Sequence, residues 1–336
     1  MGKAIVRLKD IADKTGFSTN TISLALRQSP RIPVRTRELI QRAADELNYL
    51  PNHIAKSLVS RETKTIGLIL TDITNPALTH TAQAIAIALA ELGYGTLFAT
   101  SNNTLAEEIR TIELFRSRQV DGMLIYPTGH SKLDHIRPLR RANYPVVLLV
   151  GDADSGVDVV CVDDRSGAYK ATRHLIDTGH RRIGFIDSSN PLGNPEKRQG
   201  YLQALGESGV EFDPGLAIDP HGHSAVQGYL AMAAMMNLRR RPSAVFAAND
   251  SLAIGALRWC QKHGLRVPGD VAIIGFDNIE YAEYAAVPLS TVNYAVQMVT
   301  RMAVDRLMQL IAAADQLPEP RATLIDPELV IRDSTR

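Results

Sequence analysis

The sequence predicts a mixed α/β protein, with a small N-terminal all-α head and a larger body of two doubly wound, parallel-sheet subdomains. Residues 6–29 have the pattern of two short amphipathic helices joined by a glycine turn. From residue 65 onward, apolar runs alternate with longer helical stretches, which indicates parallel sheets covered by helices. With 336 residues, the chain is long enough for two or three domains.

The head begins with two predicted helices. The first spans about 8–15 and has an apolar face at helical spacing. Gly16 supplies the turn, and Ser18 is a suitable N-cap for a second helix at 19–27 that buries Ile22. The spacing therefore predicts a compact helix pair.

The outward face of the second helix is small and polar. It consists of Thr19, Asn20, Ser23 and Leu24. Such a face suits a helix laid in the major groove of DNA, where base edges offer hydrogen bonds and thymine offers a methyl group. The pattern predicts a helix-turn-helix, although many helix pairs with a glycine turn do not bind DNA.

Charge is distributed unevenly along the chain. The net charge is +1, but residues 1–61 hold eleven Lys or Arg against five Asp or Glu, a net charge of +6, which leaves −5 on the remainder. A basic head on an acidic body indicates contact with nucleic acid, and a solvated basic face is the alternative. A third predicted helix at 34–47 adds Arg35, Arg37 and Arg42, which could reach DNA phosphates.

The body alternates strands and helices. Strands are predicted at 65–70, 95–100, 120–127, 144–150, 182–187, 243–250 and 270–278. Helices are predicted at 80–93, 105–118, 131–142, 196–208 and 251–263. This order predicts two parallel sheets.

Several function classes lack their signatures. Cys161 and Cys260 form no disulfide or zinc pattern and the histidines are scattered, so we predict no metal and no cofactor. The sequence has no nucleophile elbow, phosphate-binding glycine loop or dinucleotide fingerprint, which argues against an enzyme. It also has no signal peptide and no run of about 18 apolar residues, so we expect a cytoplasmic protein without a membrane partner.

Several phrases match a known protein family. In the head these are LKDIA (8–12), the run at 18–23, TRELI (36–40) and ELNYLPNHIAKSL (46–58). In the body they are DTGHRRIGFI (177–186), AVFAANDSLAIGAL (244–257), GLRVPGDVAIIGFDN (264–278) and PLSTV (288–292). On these phrases the chain resembles the LacI/GalR family of bacterial transcription regulators over nearly its whole length.

The resemblance implies a domain organisation. A helix-turn-helix domain would span 1–50, with a hinge helix and linker at 51–61. The body would have the fold of periplasmic binding proteins. Its effector-binding N-subdomain would be 62–161 with 292–318, and its C-subdomain 162–289 with 319–336.

The resemblance also implies further DNA contacts. In the family, the hinge helix folds when two subunits occupy an operator, and Leu58 stands where a side chain is inserted into the minor groove. Ala55 would pack beside it and Asn52 can cap this helix, whereas a core role is the alternative for Leu58. Leu24 lies where many members have arginine, so we expect a different operator preference, with contact to a thymine methyl.

Polar residues at the strand ends predict a ligand site, because ligands of open α/β sheets bind outside the carboxyl ends of the strands. These residues are Asp72, Tyr126, Asp187, Asn249 and Asp277. The resemblance places effector contacts at Arg198, Asn249 and Asp277. His223 falls near the position where some members of the family have an aromatic platform. Carboxylates, an amide and an arginine suit the hydroxyl groups of a carbohydrate. As alternatives, Asn249 and Asp277 could cap local turns.

We therefore predict a homodimeric transcriptional regulator, a repressor, whose affinity for a palindromic operator is set by a small-molecule effector. A carbohydrate is favoured, a purine or nucleoside is the alternative, and a solute-binding module without gene-regulatory function is the second class. Helices at 75–92 and 251–263 are candidates for the dimer surface, although sheet packing explains the AIAIALA run equally well. Whether the effector releases or recruits the protein stays open, and a dimer is favoured over a tetramer because no leucine heptads follow residue 320.

Overall fold

The computed structural model describes residues 6–49, 62–151, 154–187, 195–313 and 316–336. The chain divides into two compact units, Met1–Thr63 and Lys64–Arg336. The predicted hinge helix, with Asn52, Ala55 and Leu58, lies outside the described residues.

The described part of the first unit contains three helices around a small core. They are α1 (Leu8–Thr15), α2 (Thr19–Leu26) and α3 (Val34–Glu46). Their buried apolar residues are Ile11, Ile22, Ala25, Ile40, Ala43 and Ala44. Leu39 is 49% exposed, whereas Ile40 and Ala44 of the same helix face the core.

Two short-range contacts fix the turn between α1 and α2. Gly16 has a φ of +76°, in the left-handed region that glycine adopts without strain, and its N–H donates to the Ala12 carbonyl at 2.8 Å. The Ser18 hydroxyl accepts a hydrogen bond from the Thr21 N–H at 3.1 Å, which caps α2. The turn predicted from sequence is therefore built by the residues that predicted it.

Ser18→Ala is expected to destabilise α2 by about 1 kcal/mol, because it removes the acceptor for an N-terminal N–H group. Amide hydrogen exchange in the full-length protein is expected to become about fivefold faster in α2. Ser29→Ala is the control, since its hydroxyl makes only a 3.4 Å contact with the Arg31 N–H. Equal exchange rates in wild type and Ser18→Ala would contradict this capping role.

The second unit alternates strands and helices, as the sequence predicts. Its strands are β1 (Thr65–Leu70), β2 (Gly95–Thr100), β3 (Gly122–Ile125), β4 (Val146–Leu148), β5 (Asp158–Val162), β6 (Ile183–Ile186), β7 (Ala217–Ile218), β8 (Ala244–Ala247), β9 (Ala272–Ile274), β10 (Thr291–Val292), β11 (Ala322–Ile325) and β12 (Leu329–Val330). Its helices are α4 (Pro76–Glu91), α5 (Leu105–Ser117), α6 (Arg137–Arg141), α7 (Asp164–Asp177), α8 (Pro195–Glu207), α9 (Ala225–Met236), α10 (Asp250–Lys262), α11 (Glu280–Glu283) and α12 (Val296–Ala312).

Two parallel sheets define two lobes. Among the described residues, the first sheet has the order β11-β5-β4-β3-β1-β2 and the second has the order β7-β6-β8-β9. The first lobe is the first sheet with α4, α5, α6 and α12, and the second lobe is the second sheet with α7 to α11. Buried side chains cover both faces of the central strands, which explains their continuous apolar sequences.

Two predicted helices differ from the structure. The helix predicted at 80–93 begins at Pro76, because the Asn75 side chain accepts from the Ala77 N–H at 3.0 Å and proline is tolerated in the first turn. The helix predicted at 131–142 is confined to Arg137–Arg141, with Pro138 in its first turn.

One predicted boundary is wrong. The resemblance assigns residues 319–336 to the C-subdomain, but β11 pairs in parallel with β5 and so belongs to the first sheet. The chain then returns to the second lobe, where β12 pairs with β10 and the Ser334 hydroxyl donates to the Ile273 carbonyl at 2.6 Å. A four-residue edge strand carries too weak a sequence signal to reveal this last crossing.

The buried carboxylate of Asp158 connects several segments of the first lobe near the β11 edge of its sheet. Asp158, fully buried in β5, accepts from the Arg140 Nε at 2.7 Å and from the Arg306 Nε at 2.7 Å. The Arg321 N–H, which immediately precedes β11, also donates to this carboxylate at 3.2 Å. Asp158 therefore joins α6, α12 and the β11 segment.

Two further properties concern the described residues as a whole. None of the helices described is long and apolar enough to cross a membrane. Cys161 and Cys260 are both buried free thiols, and burial raises the pKa of each above its ordinary value.

Candidate functional site

The helix-turn-helix unit presents the predicted recognition face on α2. Thr19 and Asn20 are exposed, and Ser23 and Leu24 are half-buried on the same helix whose other face enters the core. The four side chains therefore lie on the side of α2 that does not pack within the unit. This is the arrangement that major-groove docking requires.

The basic residues of α3 have two different roles. Arg37 donates from Nη1 to the Gln28 carbonyl at 3.1 Å, so it secures the turn after α2 and is less available to phosphates than predicted. Arg35 and Arg42 are exposed, and neither side chain makes a hydrogen bond or ion pair within the described residues. They are the better candidates for phosphate contacts.

A cavity of about 90 Å³ lies between the two lobes. Its lining comes from the segments that follow the carboxyl ends of parallel strands, as the general rule for such sheets predicts. The lining residues are Thr71, Asp72, Asn75, Ala77, Leu78, Asn103, Tyr126, Pro127, Thr128, His130, Lys197, His223, Ala248, Asn249, Asp277 and Tyr294. Five of the six predicted effector residues are among them: Asp72, Tyr126, His223, Asn249 and Asp277.

The first lobe contributes Asp72 and Tyr126. Asp72 follows β1, and its Oδ1 accepts from the Thr74 N–H at 2.7 Å and the Thr74 hydroxyl at 2.8 Å, so the local turn orients the carboxylate. Tyr126 follows β3, and its N–H continues the ladder to the Ile69 carbonyl at 2.8 Å. Burial, with the nearby carboxylates of Asp164 and Asp277, raises the pKa of Tyr126, so its hydroxyl stays a hydrogen-bond donor.

The second lobe contributes Asn249, which has two roles at once. Its Oδ1 caps α10 by accepting from the Leu252 N–H at 2.7 Å. Its Nδ2 donates to the His223 carbonyl at 3.3 Å, which ties the loop before α9 to the cavity. Asn249 therefore caps α10, which was the alternative interpretation of this residue, and it also lines the cavity.

His223 is a further cavity residue of the second lobe. Burial lowers the pKa of His223 and the charge of Lys197 adds to this effect, which favours a neutral imidazole.

Asp277 is the most perturbed acid of the cavity. Its φ of +107° places it in a region that residues with a Cβ rarely adopt. The Asp277 N–H donates to the Val292 carbonyl of β10 at 2.9 Å, and this hydrogen bond holds the backbone conformation. Burial raises the pKa of Asp277 to about 7, against the opposing charge of Lys197. Backbone strain and a perturbed carboxyl in a cleft are features that cluster at functional sites.

Lys197, rather than Arg198, brings a cation into the cavity. The Lys197 Nζ donates to the Ala248 carbonyl at 2.9 Å and lies 3.9 Å from the Asp277 carboxylate. It also lies 3.7 Å from the centroid of the Phe276 ring, a cation–π distance. The sequence analysis does not predict Lys197 as a site residue. The feature that could have indicated it is its position in the first turn of the helix after β6.

Arg198 is not part of the lining that the described residues give this cavity. It forms an ion pair with Asp187 at the end of β6, and its side chain is 40% exposed. Adjacent residues on a helix differ by about 100° in direction, so a shift of one position moves a side chain from the cavity to its edge. The predicted effector contact of Arg198 therefore stays a prediction without support from this geometry.

A buried glutamate shapes the loop after β3. The Glu108 Oε2 accepts from the Thr128 N–H at 2.5 Å, and its Oε1 lies 2.6 Å from the His135 Nε2. Glu108 is fully buried in α5, so it fixes the backbone on which Thr128 and His130 enter the cavity. Sequence reasoning missed Glu108 because it lies far from these residues in sequence, on a helix with an ordinary amphipathic pattern.

Comparisons with known proteins match both units. Residues 7–52 match the family model of bacterial regulatory proteins, lacI family, and residues 172–335 match the model of a periplasmic binding protein-like domain. The ribose operon repressor of Haemophilus influenzae is 32% identical over 97% of this chain and 98% of its own length. The chain belongs to the LacI family.

Two further comparisons agree with this assignment. The HTH-type transcriptional repressor PurR of Vibrio atlanticus is 30% identical over 98% of both chains. The structure of the Lac repressor dimer bound to operator and an anti-inducer has a TM-score of 0.87 over 98% of this chain and 99% of that one, at 24% identity, which concerns the fold alone. The predicted fold class is confirmed. This LacI-family protein is a DNA-binding transcriptional regulator with an effector-binding body.

Proposed function

We propose that this LacI-family regulator is a homodimeric repressor whose operator affinity is set by a small, neutral, polyhydroxylated ligand bound between its lobes. The observation that carries the proposal is the cavity itself, where polar groups from both lobes converge at the strand ends. We further propose that it acts in the cytoplasm and catalyses no reaction.

The charges of the cavity favour a neutral ligand. Lys197 already lies close to Asp277 and to Asp164, at 3.9 Å and 3.7 Å. An anionic ligand would have to compete with these carboxylates and would also face Asp72. A sugar avoids this cost, because its hydroxyl groups donate to the carboxylates and accept from the ammonium and amide groups.

The size of the cavity favours a monosaccharide over an oligosaccharide. About 90 Å³ is below the range of roughly 300–1,000 Å³ that encloses drug-sized ligands. One relative is named a ribose operon repressor, which agrees with a ligand of this size. Another is named PurR, so a purine base is the second candidate to test.

Base readout is proposed for the outward face of α2. Thr19 and Asn20 are exposed and polar, and both can hydrogen-bond base edges. Leu24 has no hydrogen-bonding group and is proposed to contact a thymine methyl. Arg35 is proposed to contact phosphate, and a half-site read by one head would be repeated by the second head of the dimer.

The exposed apolar side chains suggest a dimer face that differs in part from the expected one. In the AIAIALA run of α4, Ile85 and Leu89 are buried against the sheet, whereas Ile87 is 55% exposed. The apolar residues of α10 are mostly buried, so this helix is a poor candidate. Val226 and Leu230 on α9 are 66% and 60% exposed. We propose that α4 and α9 supply the apolar part of the dimer surface.

The proposed mechanism is a coupling between ligand and operator. A ligand that binds one arrangement of the lobes more tightly shifts the population toward it. Coupling of about 1–3 kcal/mol changes the operator affinity by roughly 5–150-fold. The ligand needs no contact with the DNA for this effect.

A ligand screen tests the proposal. The full-length protein is heated with D-ribose, other monosaccharides, disaccharides and purine bases, and the shift of its unfolding temperature is measured. We expect stabilisation by a monosaccharide. Stabilisation by a purine base alone would move the protein to the second candidate, and binding of a ligand without any effect on operator binding would leave a solute-binding module.

A further inference from the structure

A contact between a histidine and a glutamate joins the two lobes across the cleft. His130 lies in the loop after β3, in the first lobe, and Glu196 lies in the first turn of α8, in the second lobe. The His130 Nδ1 is 3.2 Å from the Glu196 Oε2, and the side chains are 6% and 20% exposed. This bond requires the lobes to be close together.

The surroundings of the pair keep the glutamate ionised. Burial alone would raise the pKa of Glu196, but the hydrogen bond and charge of His130, together with Lys197, outweigh burial and lower it. The Tyr126 ring lies edge-on to the imidazole, with centroids 6.4 Å apart. His223 also interacts electrostatically with His130 and with Asp72. Asp277 on the second lobe is a further titratable residue of the cavity lining, 3.9 Å from the Lys197 Nζ.

We propose that His130 and Glu196 form a proton-dependent clasp that favours the closed arrangement of the lobes when the imidazole is protonated. Histidine is the side chain whose ordinary charge change falls between pH 5 and 8. Because Glu196 is ionised, protonation of the imidazole turns their hydrogen bond into an ion pair, and the attraction between opposite charges is strong at a site largely shielded from water. The clasp therefore favours closure when the imidazole carries its second proton and weakens when that proton is lost.

The clasp makes closure of the lobes depend on pH, independently of the ligand. It rests on the proposed role of the cleft, because only a cleft that opens and closes gives the contact a function. A ligand that binds the closed cleft binds more tightly when the closed fraction is larger. At acidic pH, where the closed fraction is larger, this regulator would thus bind its ligand more tightly.

The test measures closure without ligand or DNA. Glu113→Cys on the first lobe and Glu211→Cys on the second place fluorophores on two exposed positions, while Cys161 and Cys260 are buried. Labelled full-length protein is diluted with unlabelled protein so that most dimers carry one labelled chain. Single-molecule energy transfer is then recorded at about pH 6 and about pH 8, within the range where histidine side chains ordinarily change charge.

We expect the ratio of closed to open molecules to be at least about threefold higher at the lower pH, which corresponds to a modest difference in imidazole protonation between the two arrangements. His130→Gln and Glu196→Gln are each expected to remove this dependence. Asp277 titrates in the same range, so each variant is compared with wild type at the same pH. His263→Gln, at an exposed histidine just after α10, is the control and should behave as wild type.

A wild-type ratio that does not change with pH would overturn the clasp. An unchanged pH dependence in both His130→Gln and Glu196→Gln would overturn it as well. Because neither ligand nor DNA enters this measurement, a failed ligand screen would leave its result intact.

Discussion

Lys197→Met is expected to lower effector affinity about 10–100-fold, because hydrogen bonds to charged groups contribute about 1.5–3 kcal/mol. Methionine keeps the length of the side chain and its packing against the Phe276 ring. It removes the only ammonium group that the described residues place in the cavity lining. The measurement is calorimetric titration with the ligand found in the screen, followed by operator binding with and without that ligand.

Arg198→Met is the matched control, since it removes a cation from the next position of the same helix. Among the described residues this guanidinium is not part of the lining and is paired with Asp187, so we expect effector affinity to stay within about threefold of wild type, the range of a surface ion pair. Both variants should bind operator without ligand as wild type does. A large loss in Arg198→Met with none in Lys197→Met would contradict the site and restore the assignment made from sequence.

Asp158→Asn is expected to lower the free energy of unfolding by about 3–5 kcal/mol, because removing one partner of a buried ion pair leaves the other charge uncompensated. Here two guanidinium groups, of Arg140 and Arg306, would lose the same carboxylate. Urea unfolding of the full-length protein, followed by the fluorescence of Trp259 in the second lobe and by circular dichroism of the whole chain, measures the change.

Asp134→Asn provides the comparison for that stability measurement. Asp134 forms an ion pair with Arg137 at 2.9 Å, but its side chain is 95% exposed. Exposed pairs contribute little, so its unfolding curve should overlap that of wild type. If Asp158→Asn unfolded at the same urea concentration as Asp134→Asn, the carboxylate of Asp158 would not be the connection that we infer between α6, α12 and the β11 segment.

The parts of the fold that depend on local sequence could be predicted. Ser18 and Gly16 marked the turn of the first unit because capping and left-handed backbone are properties of single residues. The buried strands showed as apolar runs, since both of their faces are covered. The strand-end rule then placed Asp72 and Asp277 in one cavity although about 200 residues separate them.

The parts that depend on long-range geometry could not be predicted. The choice between Lys197 and Arg198 is a choice of helix phase, and a segment with no clear apolar stripe does not determine that phase. Glu196 and His130 meet only because two lobes come together, which no local pattern records. The position of β11 could not be predicted because the four strands of the second sheet lie between it and its partner β5 in the sequence.

The central claim is that one chain joins operator recognition to ligand binding between the lobes. Fluorescence anisotropy tests it with full-length protein and a duplex selected from random sequences, with and without the ligand found in the screen. We predict specific affinity at least about 10³-fold above that for random DNA, and a ligand-induced change of roughly 5–150-fold. Equal affinity for selected and random duplexes, or an operator affinity that no bound ligand alters, would contradict the account.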